Sequence, residues 1–317
     1  MNIQLVTPAP LRLNNGNKIT ALRWAKILGQ LGHRVRVTQR YDGKACDLLV
    51  ALHARRSADS IQRFHDTHPD RPLIVVLTGT DLYRDIHSHR KAQQSLELAD
   101  RLIVLQKMAF QALSGKYHAK TRVIYQSAEP AEKRRGQNRS SFQVCLIAHL
   151  RAEKDPLRAP MAVRRLPTDS RIEIIHIGLA LDNRLAEKAQ AEAARNSRYR
   201  WLGPLSHSKT RQLLAESKLA CITSKMEGSS NVLSEALASG VPVLATRIPG
   251  LIGTLTEKFP GYFPVGDTEK LRSLLLRAEA DVMFYRSLKQ HCARAAKLIQ
   301  PKREIDAWRR LLKEFKS

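Results

Sequence analysis

A chain of 317 residues, 43% of them hydrophobic, is globular and long enough for two domains. Its 54 Lys and Arg against 29 Asp and Glu leave a formal net charge of +25, a field that draws nucleic acid, anionic membranes or small phosphorylated ligands without choosing among them. The four cysteines, Cys46, Cys145, Cys221 and Cys292, stand far apart without C-x-x-C spacing, which excludes a zinc module and leaves them as reduced core thiols.

Two further classes recede on the same ground. No apolar run approaches the ~18 residues of a membrane helix, and Met1 to Val6 leads straight into a strand, so a cytoplasmic protein without membrane insertion is expected. Basic residues are scattered, and the one dense group, Arg134 to Arg139, has few aromatics nearby to stack bases, so nucleic acid is not the expected partner.

In chain order, Asn2 to Val6 reads as a buried strand, and a helix is expected from about Ile19 to Leu31, where Ala21, Leu22, Trp24, Ala25 and Leu28 form an apolar stripe. The loop between them holds Asn14, Asn15, Gly16 and Asn17, flanked by Arg12 and Lys18. Flexible backbone at a helix amino-terminus suits a phosphate, although the same residues make ordinary turns. G-x-x-x-x-G-K is absent, so this is no Walker loop.

Strands at Arg34 to Thr38, Leu48 to Leu52 and Leu73 to Leu77 follow, with a helix through Arg55 to His65. The alternation predicts a doubly wound parallel sheet, whose strand-end loops carry His53, Arg55, Arg56, Thr78, Thr80 and Asp81 onto one edge. Ligand contact there competes with a plain structural reading, since a lone loop histidine is usually structural. Strands at Leu102 to Leu105 and Arg122 to Tyr125 complete a domain over 1–127.

Residues 128–141 are polar and lack apolar periodicity, and read as a linker. A second alternating region over 142–296 starts with the strand Phe142 to Ala148. His149, Arg151 and Lys154 follow it directly, as cationic donors for a diphosphate, with a solvated turn as the plainer alternative. Further strands are expected at Ile172 to Ile177 and near Tyr199 to Leu202.

Cys221 to Gly250 then packs strand, polar turn, helix and strand into thirty residues. The helix starts near Asn231 and stops at Gly240 and Pro242, and Ser229 to Val232 would offer free N–H groups to a phosphate. Glu235, one turn into the helix, suits two vicinal ribose hydroxyls, and Glu227 in the loop suits a sugar. Surface charge and capping are the competing explanation for either residue alone. Residues 297–317 end the chain in an amphipathic helix with Trp308.

Glu227 and Glu235 with the following Ala-Ser-Gly-Val-Pro-Val resemble the E-x7-E element of retaining GT-B glycosyltransferases. The resemblance implies an α/β fold of two Rossmann-like domains, a terminal helix crossing back toward the first, a nucleotide-sugar donor, retention of anomeric configuration and no metal or other cofactor. Ala148-His149-Leu150 stands where those enzymes carry Gly-Arg-Leu, with Glu153-Lys154 preserved, so Lys154 carries over and His149 only by position. Trp201 and Leu202 match the segment bordering the nucleobase.

Stretches in the first domain, among them GNKITALRWAKILGQLGHRVRV, LTGTDLYRD and LELADRLIVLQ, resemble a narrower subfamily, the selenosugar synthases. That likeness implies UDP-N-acetylglucosamine or UDP-glucose as donor and selenophosphate as acceptor. Glu227, Lys154 and His149 are then the catalytic candidates. Gly16, Asn17, Arg151, Lys154, Trp201, Leu202, Ser229, Ser230, Asn231, Val232 and Glu235 would hold the donor. Arg12, Lys18, His53, Arg55, Thr78, Thr80 and Asp81 would hold the acceptor, and the excess positive charge offsets repulsion between two anionic substrates. The alternatives are a hydroxyl acceptor such as lipid or polysaccharide, and a basic nucleic-acid-binding protein built on the same fold.

Overall fold

A computed structural model of the chain describes residues 1–8, 15–131 and 141–315. Contacts divide the chain into two compact units, one of Met1–Ser127, Glu227–Asn231 and Pro301–Ser317, the other of Ala128–Met226 and Val232–Gln300.

The first unit runs β1 (Asn2–Val6), α1 (Gly16–Gln30), β2 (Arg34–Thr38), β3 (Leu48–Leu52), α2 (Ala58–Thr67), β4 (Leu73–Leu77), α3 (Ile86–Ser88), α4 (Arg90–Leu98), β5 (Arg101–Val104) and β6 (Thr121–Val123). All its strand pairs are parallel, in the order β2-β1-β3-β4-β5-β6. Strand geometry sends successive side chains to opposite faces, and both faces here are apolar. Leu49, Ala51, Leu73, Val75 and Leu77 join one core cluster, while Leu48, Val50, Leu52, Ile74 and Val76 join the other. Trp24 of α1 and Trp308 belong to the second cluster, edge to face at 4.9 Å between ring centroids.

Trp308 lies on the terminal helix, which a single carboxylate ties into this core. Glu304, buried to 2% exposure, accepts from Trp24 Nε1 at 2.6 Å, Arg23 Nε at 3.1 Å and the Ser127 backbone at 3.0 Å, with the Ser127 hydroxyl as a fourth donor.

The second unit runs β7 (Phe142–Ile147), α5 (Arg158–Val163), β8 (Ile172–Ile177), α6 (Asn183–Arg195), β9 (Tyr199–Trp201), α7 (His207–Glu216), β10 (Leu219–Ile222), α8 (Asn231–Ala238), β11 (Val243–Thr246), α9 (Pro249–Leu255), β12 (Tyr262–Phe263), α10 (Thr268–Ala280) and α11 (Val282–Ala296); α12 (Pro301–Lys313) is the terminal helix of the first unit. Its strands are parallel in the order β12-β11-β10-β7-β8-β9. The chain winds outward from β7 to β9, then returns to the other side of β7 for β10, so the strand order reverses between β7 and β10. Loops after those two strands are where an open parallel sheet takes its ligand.

Two starts differ from the sequence reading. The first helix begins at Gly16 rather than near Ile19, because the Asn15 side chain caps it by accepting the Lys18 N–H at 3.0 Å. Gly16, Asn17 and Lys18 are thus a first helical turn, not a loop. The second helix begins at Ala58 rather than Arg55 because His53 takes a left-handed φ of 73° and turns the chain, leaving Arg55 and Arg56 ahead of the helix. Among the described residues, no helix is long and apolar enough to cross a membrane.

Candidate active site

The second unit holds its two switch-point loops together through hydrogen bonds to two backbone carbonyls. The Lys225 N–H donates to the Glu153 carbonyl at 2.8 Å, and the Thr223 hydroxyl to the Lys154 carbonyl at 2.8 Å. Lys154 closes a short 3-10 turn, Ala152–Lys154, and Asp155 follows in left-handed conformation with φ 43°. The half-buried Arg151 precedes that turn, and its Nε is buried with no hydrogen-bond partner among the described residues. An orphaned guanidinium donor is costly unless something anionic reaches it.

The turn Ala148–Leu150 rests on the turn after β8. His176, fully buried, receives the Tyr199 hydroxyl on Nδ1 and donates from Nε2 to the Ala148 carbonyl, both at 2.8 Å. Gly178 lies so close beneath that a Cβ built on it would stand 1.8 Å from the Ala148 oxygen. His149 accepts the Leu179 N–H on Nδ1 at 3.1 Å, so its ring proton sits on Nε2 and the imidazole offers one N–H rather than a full positive charge. The indole N–H of Trp201 donates to the Gly178 carbonyl at 3.0 Å, leaving its ring for contact, and Leu202 beside it is exposed.

Burial depresses the His176 pKa from 6.5 to about 4. An unfolded chain binds that proton below pH 6.5, the folded chain only below about pH 4, so stability is lost as pH falls through this window. The slope from this residue approaches about 1.4 kcal/mol per pH unit. His176→Gln should flatten the stability profile between those values in denaturant titrations at several pH values; an unchanged slope would show that His176 is not the group responsible.

Glu235 is 8% exposed on α8, and its Oε1 receives Nε2 of His207 at 2.8 Å. No hydrogen bond to Oε2 occurs among the described residues. His207 opens α7 directly after its cap, Ser206, and nothing in the sequence ties it to a glutamate 28 positions away.

Within the first unit, the segment Glu227–Asn231 meets the end of β4. A Cβ on Gly228 would stand 2.5 Å from the Thr78 carbonyl oxygen, and one on Gly79, at φ 146°, 2.9 Å from the Gly228 nitrogen. Only glycine allows that approach. Glu227 and Ser229 are half-buried and Ser230 is buried. The Asn231 side chain accepts from Arg23 Nη1 at 3.0 Å and donates to the Gly16 carbonyl at 3.2 Å. The Asn231 side chain is thus engaged within the first unit, which leaves its backbone for a ligand; Val232 follows, half-buried.

Two of the acceptor-side candidates, Asp81 and His53, are buried. Asp81 is fully buried: Oδ1 accepts the Thr78 and Gly79 N–H groups at 2.9 and 2.8 Å and Oδ2 the Ala54 N–H at 2.9 Å. Its carboxylate braces the loops after β3 and β4 and has no face for a substrate. His53 is 2% exposed, accepts the Arg56 N–H on Nδ1 and reaches the Thr80 hydroxyl from Nε2 at 3.0 Å. Burial lowers its pKa against the opposing pull of Asp81, so it positions Thr80 as a neutral ring. Half-buried Thr78 and Thr80 remain at this edge, with exposed Arg55 leaning on Asp85 at 3.4 Å and half-buried Lys18 on the first turn of α1. Arg12 lies outside the described residues.

Among the described residues, no group of three or more His, Cys, Asp or Glu side chains is gathered where a metal would sit. What the second unit does offer is an acceptor carboxylate and cationic donors around a strand-order reversal.

Residues 128–297, more than half of the chain, match the family described as glycosyl transferases group 1, and the chain belongs to it. Sucrose-phosphate synthase from Thermosynechococcus elongatus superposes with a TM-score of 0.81 at 15% identity, covering 99% of this chain and 98% of that one. Anabaena HepE in complex with UDP-glucose superposes with a TM-score of 0.75 at 18% identity, covering 99% and 100%. The fold is GT-B.

Proposed function

We propose that this glycosyltransferase moves the sugar of a UDP-sugar, UDP-N-acetylglucosamine or UDP-glucose, onto selenophosphate, as selenosugar synthases do. The observation that carries the donor half is Glu235, an almost buried carboxylate on α8 with one oxygen held by His207 and no hydrogen-bond donor to the other among the described residues. Anabaena HepE, of like fold, is solved with UDP-glucose, which supports a uridine donor. The acceptor rests on the likeness of the first-domain stretches to selenosugar synthases and on the polar edge of Lys18, Arg55, Thr78 and Thr80.

In this reading Glu235 accepts ribose hydroxyls, and the diphosphate lies against Arg151, Lys154 and the N-terminus of α8. Glu227 orients the hexose. The selenium of selenophosphate attacks C1 as the C1–O bond to UDP breaks, and the developing charge on the leaving phosphate falls to Lys154 and Arg151. His149 Nε2–H supplies a neutral hydrogen bond. Water then cleaves the Se–P bond, giving a 1-selenosugar and inorganic phosphate. Same-face attack, with the leaving phosphate assisting, retains configuration, and the reading includes no resident metal.

Purified protein incubated with selenophosphate and a panel of UDP-sugars should release UDP and yield a selenium-bearing sugar by mass spectrometry. UDP release that requires a hydroxyl acceptor and ignores selenophosphate would defeat the selenium assignment and leave glycosyl transfer standing.

A further inference from the structure

We infer that His207 is a positioning residue for ribose recognition: it pins one oxygen of Glu235 so that the other stays open to the nucleotide. This rests on the donor half of the function proposed above and not on the acceptor.

A carboxylate on a helix can rotate about its last torsion, which is broad. Glu235 is held against that freedom by one contact, His207 Nε2 on Oε1 at 2.8 Å, and no second donor restrains Oε2 among the described residues. Because the partner atom is a carboxylate oxygen, Nε2 carries the proton and donates. The histidine comes from the first position of α7 and the glutamate from α8, so the pair bridges two helices of one unit. The ring is 46% exposed on its side chain against 10% for Glu235. The exposed partner orients the buried one.

The arrangement makes ribose discrimination depend on a residue that need not touch the ribose. Removing the imidazole frees the carboxylate to turn, and a donor with both hydroxyls loses the ordered acceptor that distinguishes it from a deoxy analogue. A charge-assisted hydrogen bond of this kind is worth roughly a tenfold change in affinity.

The test is calorimetric titration of UDP, 2′-deoxy-UDP and 3′-deoxy-UDP into the parent protein, His207→Ala, His207→Gln and Glu235→Ala, with thermal melts to confirm folding. The parent should prefer UDP over at least one deoxy analogue by about tenfold. His207→Ala should weaken UDP by a similar factor and narrow that preference toward unity, as Glu235→Ala should, and His207→Gln, whose amide N–H reaches a similar place, should restore much of it. In turnover, His207→Ala should raise the donor KM with kcat nearly unchanged. A folded His207→Ala that keeps the parental affinity and preference would overturn the inference while leaving the donor site intact. A parent that binds UDP and its deoxy analogues equally, or not at all, would overturn it together with the ribose role of Glu235.

Discussion

Gly178→Ala is expected to lower the melting temperature by about 6–12 °C and to abolish UDP binding at concentrations that saturate the parent. The methyl would occupy space 1.8 Å from the Ala148 carbonyl oxygen and 3.0 Å from His149 Cα, and both neighbours are backbone, so no side chain can swing aside. The turns after β7 and β8 must separate. That breaks the 2.8 Å bond from His176 to the Ala148 carbonyl and the Leu179 N–H to His149 bond, both of which hold the loop after β7 in place. Losses above about 3 kcal/mol belong to a short set of mechanisms, and backbone overlap in a packed turn is one of them; spread over a unit of this size, that is the temperature shift given. Gly29→Ala, with nothing within 4 Å of its new methyl, is the control and should be neutral or stabilising. Parental melting and UDP affinity in Gly178→Ala would mean the two turns lie farther apart than described.

Gly178 also illustrates what a one-dimensional reading can and cannot reach. As a break after the strand Ile172–Ile177 it is plain in the sequence, because apolar alternation ends there. That the same residue must be glycine depends on β8 lying beside β7, and strand order is a property of the assembled sheet. The run from Cys221 to Gly250 was legible for the opposite reason: each of its elements declares itself through local periodicity, and β10, α8 and β11 follow closely. Glu235 was visible through the spacing of the E-x7-E element, whereas His207 was not, since its only distinguishing contact spans 28 residues. Asp81 and His53 lie at the strand ends where the sequence places them, and both are buried. Sequence shows that a charged residue follows a strand; it does not show that three backbone N–H groups converge on it.

That convergence makes Asp81→Ala the severe substitution of the first unit. Its carboxylate is the acceptor for the Thr78, Gly79 and Ala54 N–H groups, with the Thr78 hydroxyl adding a longer contact at 3.3 Å. Alanine leaves these backbone donors without an acceptor, the Gly79 and Ala54 N–H groups in buried positions, at about 1–3 kcal/mol each, so a loss on the order of 4 kcal/mol is expected in denaturant unfolding. Asp81→Asn should fall between parent and alanine, because its oxygen can serve Thr78 and Gly79 while its NH2 then faces the Ala54 N–H. The consequence reaches the glycine contact, since Thr78 and Gly79 form the surface on which Gly228 rests within the same unit. Loosening them should release Glu227 and lower kcat along with stability. The alternative role, direct contact with an anionic or polar acceptor, makes a different forecast: Asp81→Ala would unfold like the parent and raise only the acceptor KM. Measuring unfolding and both Michaelis constants on the same preparations separates the two, and parental stability in Asp81→Ala would remove the bracing role and reinstate the aspartate as a ligand contact.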